Sequence, residues 1–299
     1  MSTGGEPAPP ATVDTGRARG PGRSASASDA RPATGGSPDP PVPPQVIPRP
    51  ADWRPGDPPA WAAVPAAERR GLGLARVEAA LAAAGQGLPV PPPSLEALGG
   101  VVDGSEAAAS LRDADRQTPS AVLVALFEEA GEARVLLTRR SSRLRSHRGE
   151  VSFPGGRIDD GETPSSAALR EAAEEVALDP AAVRLAGWLH PLFTFSSSAR
   201  IAPVVGVLDR RPALRPSPAE VARVFDVALA DLLDDGTFYE EHWRVPGRPV
   251  VASAVPGRTD GSFAVWFFEV AGEIVWGATA RVLHELVSLA VGVRPVLPG

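Results

Sequence analysis

Residues 156–178 read Gly-Arg-Ile-Asp-Asp-Gly-Glu-Thr-Pro-Ser-Ser-Ala-Ala-Leu-Arg-Glu-Ala-Ala-Glu-Glu-Val-Ala-Leu. Thr163 is a good N-cap, and Pro164 suits the first helical position, where its missing N–H costs nothing. Downstream, Asp179 precedes Pro180 and so avoids helical dihedrals. A helix over 164–177 is therefore predicted. On it Glu171, Glu174 and Glu175 stand at i, i+3 and i+4 and share one face. Like charges so spaced are each destabilising by roughly 0.2–0.5 kcal/mol, unless something cationic lies between them. Mg²⁺ or Mn²⁺ suits such a place, because hard divalent cations choose carboxylate oxygens and retain waters that substrate can displace. Arg170 can pair with Glu162 and brace the loop entering the helix. The pair Gly155-Gly156 lets backbone approach a metal or phosphate closely, which makes the Gly156 carbonyl a candidate ligand beside Glu171, Glu174 and Glu175.

The segment immediately upstream has the opposite sign. Residues 139–148 contain Arg139, Arg140, Arg143, Arg145 and Arg148 with no acid, a local charge of +5, whereas 156–178 carries −4. Adjacent blocks of this kind suit a polyphosphate bound together with divalent metal. Arginine forks pair bidentately with phosphate, so Arg139, Arg140 and Arg145 are candidates for substrate recognition. His147 lies within the basic block, and Trp243, Trp266 and Trp276 read as core.

Composition removes several alternatives. All 30 basic residues among the 299 are arginine, and cysteine is absent. Schiff-base catalysis, lysine-dependent phosphate loops, cysteine nucleophiles, thiolate zinc sites and disulfides are thereby excluded. A net charge of −6 argues against nucleic acid as a partner. No apolar run approaches the roughly 18–20 residues that span a bilayer, and the start of the chain lacks the basic cluster and apolar core of a secretory signal. A soluble, cytoplasmic enzyme is expected; a homodimer is left open.

Along the chain, 12 of the 34 prolines fall in the first 50 residues, among Gly, Ser and Ala. Residues 1–50 are expected to form a disordered arm. Residues 51–117 read as a helical segment and linker: one helix over 60–86 stopped by Gly85 and Gly87, then prolines, then a weak helical stretch at 105–114. From 118 to 295 the chain is strand-rich. Runs at 120–127 and 133–138 form a hairpin, further strands are predicted at 184–189, 201–208, 223–227, 238–245, 249–254 and 263–270, and a second helix at 279–290. Strands interrupted by a few helices indicate an α/β layered domain.

An isolated Glu-Ala-Ala-Glu-Glu string is ordinary solvated helix, so the spacing carries the argument. Gly156, five residues, Glu162, seven residues, then Arg170 through Leu178 resemble the Nudix box GX5EX7REUXEEXGU at every defining polar position. One departure is Ala177, where the family has glycine; alanine tolerates a positive φ poorly, so a different helix exit is expected. Upstream, Leu136 to Ser141, Arg145, Gly149 and Phe153 to Gly156 resemble the pattern LLTXR(S/A)X3RX3GX3FPGG that accompanies Nudix enzymes acting on coenzyme A. Residues 274–283 are similar to the C-terminal segment of the same group. The resemblance implies an α/β/α sandwich with a mixed sheet. It also implies Mg²⁺- or Mn²⁺-dependent hydrolysis of coenzyme A or acyl-coenzyme A to 3′,5′-ADP and 4′-phosphopantetheine or its acyl form. The catalytic set would be Glu162, Arg170, Glu171, Glu174 and Glu175, with Glu220. Alternatives are a Nudix hydrolase of ADP-ribose or NADH, and a nucleotide-binding module without catalysis.

Overall fold

The computed structural model describes residues 45–87, 118–144, 146–194, 199–244 and 262–295. In chain order the strands are β1 (Arg54–Pro55), β2 (Thr118–Glu129), β3 (Glu132–Arg140), β4 (Val151–Ser152), β5 (Gly155–Arg157), β6 (Arg184–Trp188), β7 (Leu192–Thr194), β8 (Ala199–Leu208), β9 (Val221–Ala228), β10 (Phe238–Trp243), β11 (Phe263–Val270) and β12 (Glu273–Trp276). The α-helices are α1 (Leu74–Ala83), α2 (Pro164–Val176), α3 (Leu229–Leu232) and α4 (Gly277–Ala290).

Everything is arranged around β2. Its side chains are apolar on both faces, as a strand covered on both sides requires. Ala121, Leu123, Ala125 and Phe127 face α2, whereas Val124 and Leu126 face a second core that includes Val77 and Leu81 of α1 and Val282, Leu283 and Leu286 of α4. Each fully buried large aliphatic side chain contributes about 1.5–3 kcal/mol. One edge of β2 runs parallel to β8 along 118–127, and the other edge is divided: β3 pairs antiparallel at Leu126–Glu129 and β5 at Ser120–Val122. With β9 and β4 on β3, and β6 and β7 on β8, this makes a mixed eight-stranded sheet between helices. The hairpin between β2 and β3 turns at Ala130 and Gly131, with φ of 55° and 79°, the two positive values of a type I′ turn. A separate antiparallel sheet of order β1-β10-β11-β12 packs over α4.

The helix α2 is built as its sequence dictates. The Thr163 hydroxyl accepts from the Ser166 N–H at 3.1 Å, and the Ser166 hydroxyl accepts from the Thr163 N–H at 2.9 Å, so serine closes a capping box. Its buried face is Ala167, Ala168, Ala172 and Val176, small residues that allow the helix to lie close on the sheet.

Several sequence expectations require correction. The single helix over 60–86 is instead a 3₁₀ turn at Ala66–Arg69 and α1, because Gly71 takes a φ of 63° between them. Residues 45–50, assigned by composition to the arm, are packed: Ile47 is buried with Trp243, Val265 and Phe267, and the Gln45 amide bonds both the N–H and the carbonyl of Ile274. Nor does the exit of α2 change. Ala177 adopts φ 56° and ψ 34°, the left-handed conformation a glycine would take, and its N–H bonds the Ala172 and Ala173 carbonyls. The surrounding contacts impose a conformation that costs a non-glycine residue roughly 1–2 kcal/mol. The strand at 249–254 and the helical stretch at 105–114 lie outside the described residues. Five short strands, β1, β4, β5, β7 and β12, had no sequence signal of their own.

Two predictions follow from this architecture. Ala177→Gly should raise the stability measured by denaturant unfolding by about 1 kcal/mol, since relief of left-handed strain outweighs the added freedom of the unfolded chain. His284 on α4 is buried against Trp61, Phe238 and Trp266, and burial pushes its imidazole down to about 4. The unfolded chain then binds the proton first, at about pH 6.5, so stability is complete above that value and declines as pH falls toward 4. The stability lost between about pH 7.5 and about pH 5 should be smaller in His284→Leu than in the parent protein.

Candidate active site

The divided edge of β2 sets the site. Where β5 replaces β3, Gly155 and Gly156 come against the inner side of α2. A Cβ on Gly156 would lie 2.5 Å from the Glu171 carboxyl carbon, and one on Gly155 would meet the Ala121 carbonyl at 2.4 Å. At Gly155 only glycine fits, and at Gly156 any side chain would displace the Glu171 carboxylate. The Gly155 N–H donates to Glu175 Oε2 at 3.2 Å, drawing that carboxylate under the strand. Glu175 is 4% exposed at its side chain and Glu171 16%, while Glu174, on the outer flank of the same helix face, is 58% exposed.

Arg170 organises the outer rim. Its guanidinium grips both oxygens of Glu162, through Nε at 2.9 Å and Nη2 at 3.0 Å, and donates also to the Arg157 carbonyl, Glu171 Oε1 and Glu174 Oε2 at 3.0, 3.0 and 3.3 Å. The expected Arg170–Glu162 brace is present. What the spacing did not reveal is that the same arginine supplies the cation between Glu171 and Glu174. The Arg170 fork, with the Asp159 N–H, holds the Glu162 carboxyl down at about 2.

The inner carboxylates behave oppositely. Burial pushes the Glu175 carboxyl up to about 7, against the pull of the Gly155 N–H and the Arg140 guanidinium, and the charges of Glu171 and Glu220 add to the rise. Glu171 is raised as well, first by burial, with Glu174 and Glu220 adding to it against Arg170. The Glu220 charge acts on both carboxyls, and its backbone carbonyl accepts the Ser141 N–H at 2.7 Å. On the facing side, Arg140 Nη1 stands 3.7 Å from Glu175 Oε1, and Arg140 Nε is buried without a partner among the described residues. Crowded anionic oxygens beside an arginine with an unused donor fit a divalent cation and the anion that accompanies it.

The other basic candidates are placed differently. Arg139 points away from the carboxylates and is buried in an ion pair with Glu273 of β12, Nη1 to Oε2 2.7 Å, so the structure gives it a structural partner in place of the expected phosphate. The reason is strand alternation: successive side chains of β3 face opposite sides. Arg145 lies outside the described residues. His147 pairs with Glu150 at 2.9 Å. Trp243 and Trp266 are buried as expected, with indole N–H bonds to Glu241 and Glu240, and Trp276 packs on the same sheet. A different ligand-type group was not foreseen: single ligand atoms of Asp57, Glu240 and His242 lie within 4.8 Å of one another on the second sheet. Glu240 there is already bonded to Trp266 at 2.7 Å and His242 at 2.6 Å.

Comparison with known proteins gives the family. Residues 117–245 match the NUDIX domain family. The uncharacterized Nudix hydrolase NudL of Escherichia coli O6:H1 is 39% identical over 162 residues, covering 54% of this chain and 77% of NudL. The chain belongs to the Nudix hydrolase family. Nudix hydrolase 22, chloroplastic, of Arabidopsis thaliana is 39% identical over 176 residues, 56% of this chain and 54% of that protein. Among solved structures, the Nudix hydrolase RenU of M. smegmatis aligns with a TM-score of 0.35 at 22% identity, over 40% of this chain and 74% of RenU. As a Nudix hydrolase the protein cleaves pyrophosphate bonds of nucleoside diphosphate derivatives, and the family uses divalent metal for that chemistry. No helix among the described residues is long and apolar enough to cross a membrane.

Glu174→Gln and Glu175→Gln, which keep side-chain shape and remove charge, should each lower turnover by more than about 100-fold while circular dichroism and the thermal midpoint show a folded protein. Near-parental activity in both would remove these glutamates from the site.

Proposed function

We propose that this Nudix hydrolase cleaves the diphosphate of coenzyme A or acyl-coenzyme A, with Mg²⁺ or Mn²⁺, to give 3′,5′-ADP and 4′-phosphopantetheine or its acyl form. The observation that carries the reading is the junction of the two charge blocks. Arg140, a fixed position of the segment resembling coenzyme A-specific enzymes, faces Glu175 with its Nε unused. Eleven residues on, the same segment enters β4 and then the glycine pair of β5. Anion recognition and the carboxylate group are therefore built from one continuous piece of chain.

In this reading Glu171, Glu174, Glu175 and the Gly156 carbonyl would hold the divalent cation. When bound, it would supply charge that polarises the diphosphate and favours ionisation of the attacking water. The protein's own groups do the rest. Arg140 pairs with a phosphate oxygen and opposes the charge that develops there. Arg170 holds Glu162, Glu171 and Glu174 in one arrangement, so that little reorganisation accompanies the reaction. Glu220 takes the proton from the attacking water. Water adds to one phosphorus, the anhydride P–O bond breaks, and the other phosphate leaves without a covalent enzyme intermediate.

Incubation of the purified protein with coenzyme A, followed by chromatography of the nucleotides, tests this directly. The expected result is 3′,5′-ADP formed with Mg²⁺ or Mn²⁺, lost on chelation and regained on adding metal. Cleavage of ADP-ribose or NADH with coenzyme A untouched would overturn the substrate assignment.

A further inference from the structure

The loop 141–150 joins β3 to β4 and contains Arg143, Arg145, His147 and Arg148. Within it the Leu144 N–H to Ser141 carbonyl and Glu150 N–H to His147 carbonyl bonds are both 3.3 Å, and two side-chain bonds brace it, His147 Nδ1 with Glu150 Oε2 at 2.9 Å and Arg148 Nε to the Leu144 carbonyl at 2.5 Å. Arg143 and Arg148 form no ion pair among the described residues. The loop's other fixed points are its two stems.

Both stems are held by side chains from one short segment that lies beyond the family match at 117–245. At the first, Arg139 and Arg223 are cross-strand partners on β3 and β9, and each donates to its own oxygen of Glu273: Arg139 Nη1 to Oε2 at 2.7 Å and Arg223 Nη1 to Oε1 at 2.9 Å. Glu273 is nearly fully buried. At the second stem, the Thr279 hydroxyl donates to the Val151 carbonyl of β4 at 3.0 Å, also buried. Between the stems, the β3–β9 register shifts after Arg139: Arg139 opposes Arg223, but Arg140 opposes Val221. With Arg139 drawn inward by Glu273, Arg140 is turned toward Glu175. The Arg140 N–H bond to the Glu150 carbonyl, 2.9 Å, then closes the loop's base.

We propose that Glu273 and Thr279 are positioning residues that set the basic loop and Arg140 for recognition of the substrate's phosphates. The inference rests on the reading above only in assigning phosphate recognition to the loop and Arg140. Neither residue reaches the carboxylates. They act through Arg139 and Val151, and their effect falls on binding.

Thr279→Val removes one hydroxyl at nearly constant shape. It should raise KM about tenfold, with kcat within about twofold of the parent, because a small displacement of binding groups is costly. Thr279→Ser should restore the parental KM. Calorimetric titration with 3′,5′-ADP in the absence of metal should show the same weakening, independently of turnover. Glu273→Gln should raise KM further; if it fails to fold, Thr279→Val decides alone. The kinetics are measured on whichever nucleoside diphosphate derivative the parent protein cleaves, and if that is not coenzyme A its own nucleotide product replaces 3′,5′-ADP in the titration, so an error in the coenzyme A assignment leaves this test intact. A fall in kcat at unchanged KM, or a lower thermal midpoint with parental KM and parental 3′,5′-ADP affinity, would overturn the proposal.

Discussion

The constraint on which the site depends is the contact between two glycines and one helix. Because Gly156 lacks a Cβ, the Glu171 carboxyl occupies the space a side chain would fill, and because Gly155 presents its N–H, Glu175 is drawn under the strand. A side chain at Gly155 would collide with the backbone of β2, and one at Gly156 would displace the Glu171 carboxylate from its place. The alanine face of α2 serves the same approach from the other side, since Ala167, Ala168 and Ala172 add little thickness between helix and β2. The functional group is thus a packing arrangement before it is a set of charges.

Electrostatics then divides the carboxylates into two classes. Glu162, in the grip of Arg170, is an anion under all ordinary conditions and acts as a fixed brace. Glu171 and Glu175 are held in a place that penalises their charge, mainly through burial. A protein retains such a cost where a cation repays it on binding. Arg140, buried at its Nε and facing the same space, is the complementary feature for an anion.

Much of this was legible in the sequence, and the reasons are physical. The cap at Thr163 and Pro164, the stop at Asp179-Pro180 and the i, i+3, i+4 glutamates are local features, and local geometry alone decides them. The β2–β3 hairpin and β11 were equally readable, because continuous apolar runs between turn residues are a local signal. What could not be read is what depends on contacts distant in sequence. Arg139 and Arg140 are adjacent and chemically identical, yet the pleat sends one to Glu273 and the other to Glu175. Glu273 lies 134 residues beyond its partner, with nothing in its neighbourhood to announce the pairing. The packing of Ile47 defeated composition in the same way, since a single buried residue in a proline-rich stretch does not alter an average. Ala177 shows the converse: intrinsic preference opposed the left-handed exit, and tertiary packing prevailed.

The forked edge of β2 has a consequence for how the two charge blocks can vary. Their separation is fixed by strand register, through β3 on one branch and β5 on the other. A one-residue slip of either branch would turn its inward side chains outward, so only two-residue steps keep the faces, and each such step moves the chain by roughly 7 Å. That exceeds the reach of a single diphosphate. The distance between the α2 carboxylates and Arg140 is consequently quantised, and a change in the length they span must come from side chains and the intervening loop while the sheet stays as it is.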